Sequence, residues 1–177
     1  MSGQLFVVVG PSGAGKDTLL AGARAADPNL HWAQRVITRP FVVGGEPFEE
    51  TSVSDFQARL AAGEFALHWQ AHDLHYGVTA RALAPLMSGG RVLLNGSRGA
   101  LAGIKSAFPS MRVIHISAPP EVLAERLAQR GREGGRAIAA RLTRASYAIP
   151  GGIPVTDVQN IGTPAQGIAC LLQALGA

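Results

Sequence analysis

Residues 5 to 20 carry types and spacings suited to holding phosphate. An apolar run, Leu5 to Val9, ends in Gly10-Pro11-Ser12-Gly13-Ala14-Gly15-Lys16-Asp17-Thr18, and Leu19 and Leu20 follow. Glycines at 10, 13 and 15 let the backbone curl so that successive N–H groups point inward, and a helix beginning there adds its positive end. Lys16 places one ammonium where the β- and γ-phosphates of a nucleotide would lie. Lys16 and Lys105 are the only lysines in a chain that otherwise uses arginine, which points to a task that a planar guanidinium does not perform. Gly10 to Thr18 therefore reads as a nucleotide phosphate site. In such loops a Ser or Thr usually follows the lysine as a Mg2+ ligand. Here Asp17 stands in that place and Thr18 comes next, so both are candidate Mg2+ ligands.

Three other stretches place polar groups where a phosphorylated ligand could meet them. Arg39 follows the short strand Gln34 to Thr38, and Asn95 ends the strand Arg91 to Asn95, with Ser97 and Arg98 just beyond it. Ligands of open α/β sheets collect outside the carboxyl ends of strands. The third stretch is arginine-rich: Arg126 and Arg130 on one helix, Arg132 in the break Gly131 to Gly135, and Arg136, Arg141 and Arg144 on the next helix. Arg126 and Arg130 share one helix face, as do Arg141 and Arg144. Two arginine faces about a glycine hinge make a lid that can close over transferring phosphates. His68, His72 and His75 lie on a hairpin whose alternation separates them, which disfavours a zinc site.

The elements that must position these residues alternate. Helices are expected at 17–26, 52–62, 80–87, 97–108, 119–130, 136–148 and 164–175. Strands are expected at 5–9, 34–38, 91–95, 111–117 and 155–159, with a hairpin at 65–78 and a loop at 41–51. That order specifies an α/β protein with a parallel sheet flanked by helices. Residues 1–177 read as one P-loop kinase domain, with 39–78 an acceptor-binding insertion between core elements and 130–141 the lid.

Composition narrows the partners. The net charge of +4 comes from scattered arginines without a basic run or tail, which suits small phosphorylated ligands and argues against nucleic acid. The single Cys170 excludes an internal disulfide and fits a reducing compartment. No signal peptide and no membrane-spanning run is apparent, so a cytoplasmic protein is expected, and no oligomeric state follows from the sequence.

Taken together, these stretches resemble the guanylate kinase family. Gly10 to Lys16, Thr38-Arg39-Pro40, Gly45-Glu46, Gly63-Glu64-Phe65, His75-Tyr76-Gly77 and Arg126 to Gly131 carry the likeness. The chain departs from that family where guanine is read. His68 stands beside Trp69 in place of an acid, no tyrosine lies in Phe48 to Thr51, and Asn95 replaces a strand-end aspartate. A pocket that hydrogen-bonds a base discriminates strongly, so these losses argue against guanine.

A closer resemblance is to the ribose 1,5-bisphosphate phosphokinase family of phosphonate breakdown. It rests on Gly10 to Asp17, Ile37-Thr38-Arg39, Trp69 and Ala71, Leu74 to Val78, Asn95-Gly96-Ser97-Arg98 and Arg130-Gly131-Arg132-Glu133. The resemblance implies ATP- and Mg2+-dependent phosphorylation of ribose 1,5-bisphosphate to 5-phosphoribosyl 1-diphosphate. It implies Lys16, Arg130, Arg132 and Arg141 as catalytic residues. Arg39, Tyr76, Asn95, Ser97, Arg98 and Arg144 would bind the phosphorylated sugar. A guanylate or other nucleoside monophosphate kinase, and a non-catalytic guanylate-kinase-like binding module, remain as alternatives. A module could dispense with Lys16 and the lid arginines, which this chain keeps. A regulatory GTPase is disfavoured because no Asn-Lys-x-Asp segment occurs.

Overall fold

The computed structural model describes residues 3–41, 46–129, 149 and 151–176. Its first strand, β1 (Gln4–Val9), has Leu5 to Val9 all buried, as a continuous apolar run in a sheet covered on both faces demands. Four parallel strands join it: β2 (Leu30–Trp32), β7 (Arg91–Asn95), β8 (Arg112–Ser117) and β9 (Val155–Gln159), in the order β2-β7-β1-β8-β9.

Helices close both faces. Phe6 and Val8 pack with Leu19, Leu20 and Ala23 of α1 (Lys16–Ala26), and with Leu171 and Leu175 of the last helix, α6 (Pro164–Leu175). On the opposite face Val7, Val9 and Leu94 meet Leu83 of α3 (Ala80–Leu83) and Leu101 and Ile104 of α4 (Leu101–Ala107). Helix α5 (Pro120–Gln129) sends Leu123 into the first of these clusters. Parallel strands bring their carboxyl ends together, so Gly10, Asn95 and Asn160 emerge along one rim.

A second sheet stands beside this rim. Strands β3 (Arg35–Ile37), β4 (Phe48–Glu50), β5 (Phe65–Ala71) and β6 (Leu74–Thr79) run in the order β4-β3-β6-β5. β5 and β6 form the expected hairpin, and His72 and Asp73 at its tip have φ of 53° and 60°. Two consecutive positive φ values are what a tight two-residue hairpin turn requires. Beneath this sheet lies α2 (Val53–Ala61), capped by Ser52, whose side chain accepts from Asp55 N. Its Phe56 ring stacks on Phe65 with centroids 4.6 Å apart.

The structure corrects the sequence reading at several points. β4 falls in the expected loop and β2 where no element was expected: each has three residues, too few to show a period. The strand near 34–38 belongs to the second sheet, which therefore starts ahead of position 39, while β2 supplies the core strand. The helix expected over 97–108 is a single 3-10 turn (Arg98–Ala100) followed by α4. The helix expected over 80–87 is α3 followed by a 3-10 stretch (Ala84–Ser88), where Pro85 has no N–H to continue an α-helical ladder. The hinge expected at 131–135 and the helix at 136–148 lie outside the described residues.

Candidate active site

The glycines of the first motif take the backbone angles they were read to permit. Gly10, Gly13 and Gly15 have φ of 154°, 88° and 89°. A Cβ on Gly10 would sit 2.1 Å from the Ile116 carbonyl oxygen, and one on Gly15 would sit 2.5 Å from Asn160 Nδ2. Asn160 Nδ2 donates to the Ala14 carbonyl at 2.8 Å, which ties the loop to the end of β9. Gly15 is the N-cap of α1, so the loop runs directly into the positive end of that helix.

Lys16 lies folded over the loop. Its Nζ donates to the carbonyls of Gly10 at 2.8 Å and Pro11 at 3.0 Å. Burial pushes its pKa down to about 8; the nearby Asp17 and Glu46 oppose the shift, and Arg35 and Arg98 add to it. Three cations and two carboxylates thus share one centre.

Asn95, buried at the end of β7, joins the carboxylates. Its Nδ2 donates to Asp17 Oδ1 at 3.1 Å and to Glu46 Oε2 at 2.7 Å. Glu46 is in turn held by Arg35, with Nε donating to Oε1 at 2.8 Å and Nη2 to Oε2. Burial raises the Glu46 pKa, and the Arg35 charge works against that rise. Sequence reasoning missed Arg35 as a site residue and saw Glu46 only as part of a turn. Alternation in 35–37 gave no hint, because all three residues of β3 are buried.

The expected acceptor residues are placed as follows. Tyr76, on β6, stacks on Trp69 of β5, the rings parallel to within 1° and 5.4 Å apart, and Arg35 Cζ lies 5.1 Å from the Tyr76 centroid. Arg39 is exposed, its Cζ 4.6 Å above the Phe48 ring. Ser97 and Arg98 are half-buried where the 3-10 turn begins, and burial lowers the Arg98 pKa. Arg130, Arg132, Arg141 and Arg144 lie outside the described residues.

Asp17 and Thr18 part company on α1. Asp17 turns toward Asn95, whereas Thr18 lines a cleft of about 300 Å³ on the other side of the loop, with Gly13, Gly15, Arg126, Asn160 and Gly162. Arg126 Nη2 donates to the Asn160 carbonyl at 3.0 Å, and its buried Nη1 has no hydrogen-bond partner among the described residues. A buried guanidinium N–H left in this state is available to a ligand acceptor. Asn160 went unnoticed in the sequence, although it obeys the rule that singled out Asn95: a polar residue just past a strand. Among the described residues no group of three or more His, Cys, Asp and Glu is arranged to hold a metal. No described helix is long and apolar enough to cross a membrane.

No protein-family model matches the chain. Among curated proteins, it is 44% identical to the ribose 1,5-bisphosphate phosphokinase PhnN of Agrobacterium fabrum, over 97% of this chain and 95% of that protein. It is 48% identical to the ribose 1,5-bisphosphate phosphokinase PhnN of a Ruegeria species, over 90% of this chain and 85% of the other. It is also 48% identical to the bifunctional ribose 1,5-bisphosphokinase-thymidine phosphorylase of Azorhizobium caulinodans, across 99% of this chain but only 26% of that protein. The chain thus spans about a quarter of the length of that relative. Among solved structures, the guanylate kinase from Anaplasma phagocytophilum superposes with a TM-score of 0.70 at 18% identity, covering 98% of this chain and 86% of that one. At that identity the likeness is one of fold.

Proposed function

This chain belongs to the ribose 1,5-bisphosphate phosphokinase family, and on that premise we propose that it transfers the γ-phosphoryl group of ATP to ribose 1,5-bisphosphate. An oxygen of the sugar's 1-phosphate attacks the γ-phosphorus, and the bond from that phosphorus to the β,γ-bridging oxygen breaks. The products are 5-phosphoribosyl 1-diphosphate and ADP. A phosphate oxygen is already ionised near neutral pH, so no general base is needed, and neither Asp17 nor Glu46 has to take that role. Catalysis reduces to positioning and charge neutralisation.

The observation that carries this reading is the acceptor side of the site. Three cations, Lys16, Arg35 and Arg98, converge at the end of β7, while the position beside Trp69 holds an exposed histidine, His68, and no acid. With Arg35 held by Glu46, Lys16 and Arg98 would meet phosphate, whereas a purine base finds no carboxylate beside Trp69 for its N–H edge. The loop and Lys16 would cradle the donor phosphates, and the cleft between Thr18, Arg126 and Asn160 would take its nucleoside. Arg39, Tyr76, Ser97 and Arg98 would hold the sugar bisphosphate. The lid residues Arg130, Arg132, Arg141 and Arg144 would close over both ligands, Arg144 toward the sugar.

The donor set fits Mg2+. Asp17 offers a hard oxygen beside Lys16, with Asn95 bonded to only one of its two carboxylate oxygens, and Mg2+ takes one or two carboxylates plus phosphate and water. Asp17 would hold the ion, which would neutralise charge on the transferring phosphates, while Thr18, expected beside it as a second ligand, faces the nucleoside cleft on the other side of the loop. The reaction is checked by 31P NMR of protein, ATP, Mg2+ and ribose 1,5-bisphosphate. New diphosphate signals should rise in step with ADP; ADP with only inorganic phosphate would refute the transfer.

A further inference from the structure

We propose, building on the kinase reading above, that Glu46 is a positioning residue: gripped by Arg35, it fixes the Asn95 amide, and that amide sets Asp17 beside Lys16. An amide nitrogen has two hydrogens, and Asn95 Nδ2 donates to two carboxylates, Asp17 at 3.1 Å and Glu46 at 2.7 Å. One carboxylate is on the helix that leaves the phosphate loop. The other is on the segment leading into β4 of the second sheet.

Glu46 is the fixed end of this chain of contacts. It is 2% exposed and Arg35 binds it through both carboxylate oxygens, Arg35 being 8% exposed with its guanidinium against the Tyr76 ring. A bidentate pair of this kind is directional as well as strong. Asn95 is also buried, so the orientation passes from the second sheet, through the amide, to Asp17.

The same geometry explains a neutral residue at the end of β7. An aspartate at 95 would face two carboxylates at hydrogen-bonding distance, and the cluster would have to take up protons to hold together, whereas the amide donates two of its own. Like charges that close repel strongly where water is excluded. The identities at 46 and 95 are therefore coupled, and Glu46 dictates which side chain can serve Asp17.

The test is a double-mutant cycle of Asn95→Asp and Glu46→Gln in the full chain, read in two ways. One is the thermal midpoint without nucleotide; the other is ADP affinity by calorimetry with Mg2+ and with EDTA. Asn95→Asp should lower the midpoint and cut the Mg2+-dependent gain in ADP affinity by roughly tenfold, and the double variant should outperform it on both counts. Additive losses, with ADP affinity falling equally in Mg2+ and EDTA, would overturn the proposal, because that is what packing alone predicts. Should Asn95→Asp not fold, Glu46→Gln alone decides: a reduced Mg2+-dependent gain supports the role, and an unchanged gain overturns it. No readout needs the sugar. Wild-type protein that binds MgADP but leaves ribose 1,5-bisphosphate untouched would count against the proposed reaction, while the cycle would still judge Glu46.

Discussion

Lys16 Nζ donates to the Gly10 carbonyl oxygen at 2.8 Å, so the ammonium meant for phosphate rests on the loop that would bind it. Its pKa, brought down to about 8 by burial, measures what that placement costs the charged form. Lys16→Met should reduce turnover by at least about a hundredfold, as loss of a transition-state donor does. The ligand-free protein supplies a second check. A lysine whose folded pKa lies below its unfolded value of 10.5 disfavours folding while charged, and that penalty fades as pH rises from 8 toward 10.5. The difference in melting temperature between wild type and Lys16→Met should therefore move in favour of wild type over that range.

Gly10→Ala tests the loop itself. At φ 154°, with Ile116 O only 2.1 Å from a built Cβ, the alanine must displace β-sheet backbone. A cost of about 1–3 kcal/mol from the backbone angle alone, plus the clash, should appear in urea unfolding. Nucleotide affinity should fall more than stability does, because the displaced strand end carries the loop. Unchanged ADP binding would show that the loop's curl at Gly10 is not needed.

How much of this was legible in the sequence depended on the reach of each signal. Gly10 to Lys16 showed its role because the positive φ values at Gly10, Gly13 and Gly15 are ones that residues with a Cβ rarely adopt. Leu5 to Val9 showed a buried strand because burial on both faces leaves an unbroken apolar run. Arg35, Glu46 and Asn160 were not legible. Their partners are far along the chain: Glu46 meets Asn95, and Asn160 meets Ala14, through folding alone. β2 and β4 were missed because three residues establish neither period nor propensity, and pairing with longer neighbours decides their state.

Arg39 and Arg98 are expected to act on the acceptor. Alanine at either should raise the apparent KM for ribose 1,5-bisphosphate by roughly tenfold or more, the worth of one charge-assisted hydrogen bond, and spare the KM for ATP. For Arg39, loss of its stacking on the Phe48 ring adds little, since the site is exposed. Steady-state kinetics with each substrate varied in turn separates the two constants. Equal effects on both would place these arginines outside the acceptor site.

Arg130 and Arg132 are expected to act on the transition state. Arg130→Ala and Arg132→Ala should each lower kcat by on the order of a hundredfold while changing ATP affinity far less. Single-turnover rates beside equilibrium ATP binding make the comparison. Normal turnover in either variant would remove that residue from the catalytic set.

The central claim is acceptor identity, and the most direct measurement is kcat/KM for ribose 1,5-bisphosphate against GMP, with ATP and Mg2+ held constant. His68 beside Trp69 gives guanine's N–H donors no carboxylate, and the cations at the end of β7 favour a second phosphate. The ratio should favour the sugar bisphosphate by at least about a thousandfold, as expected when a site leaves polar groups of the wrong substrate unpaired. Equal or higher efficiency with GMP would contradict the account and make the protein a guanylate kinase.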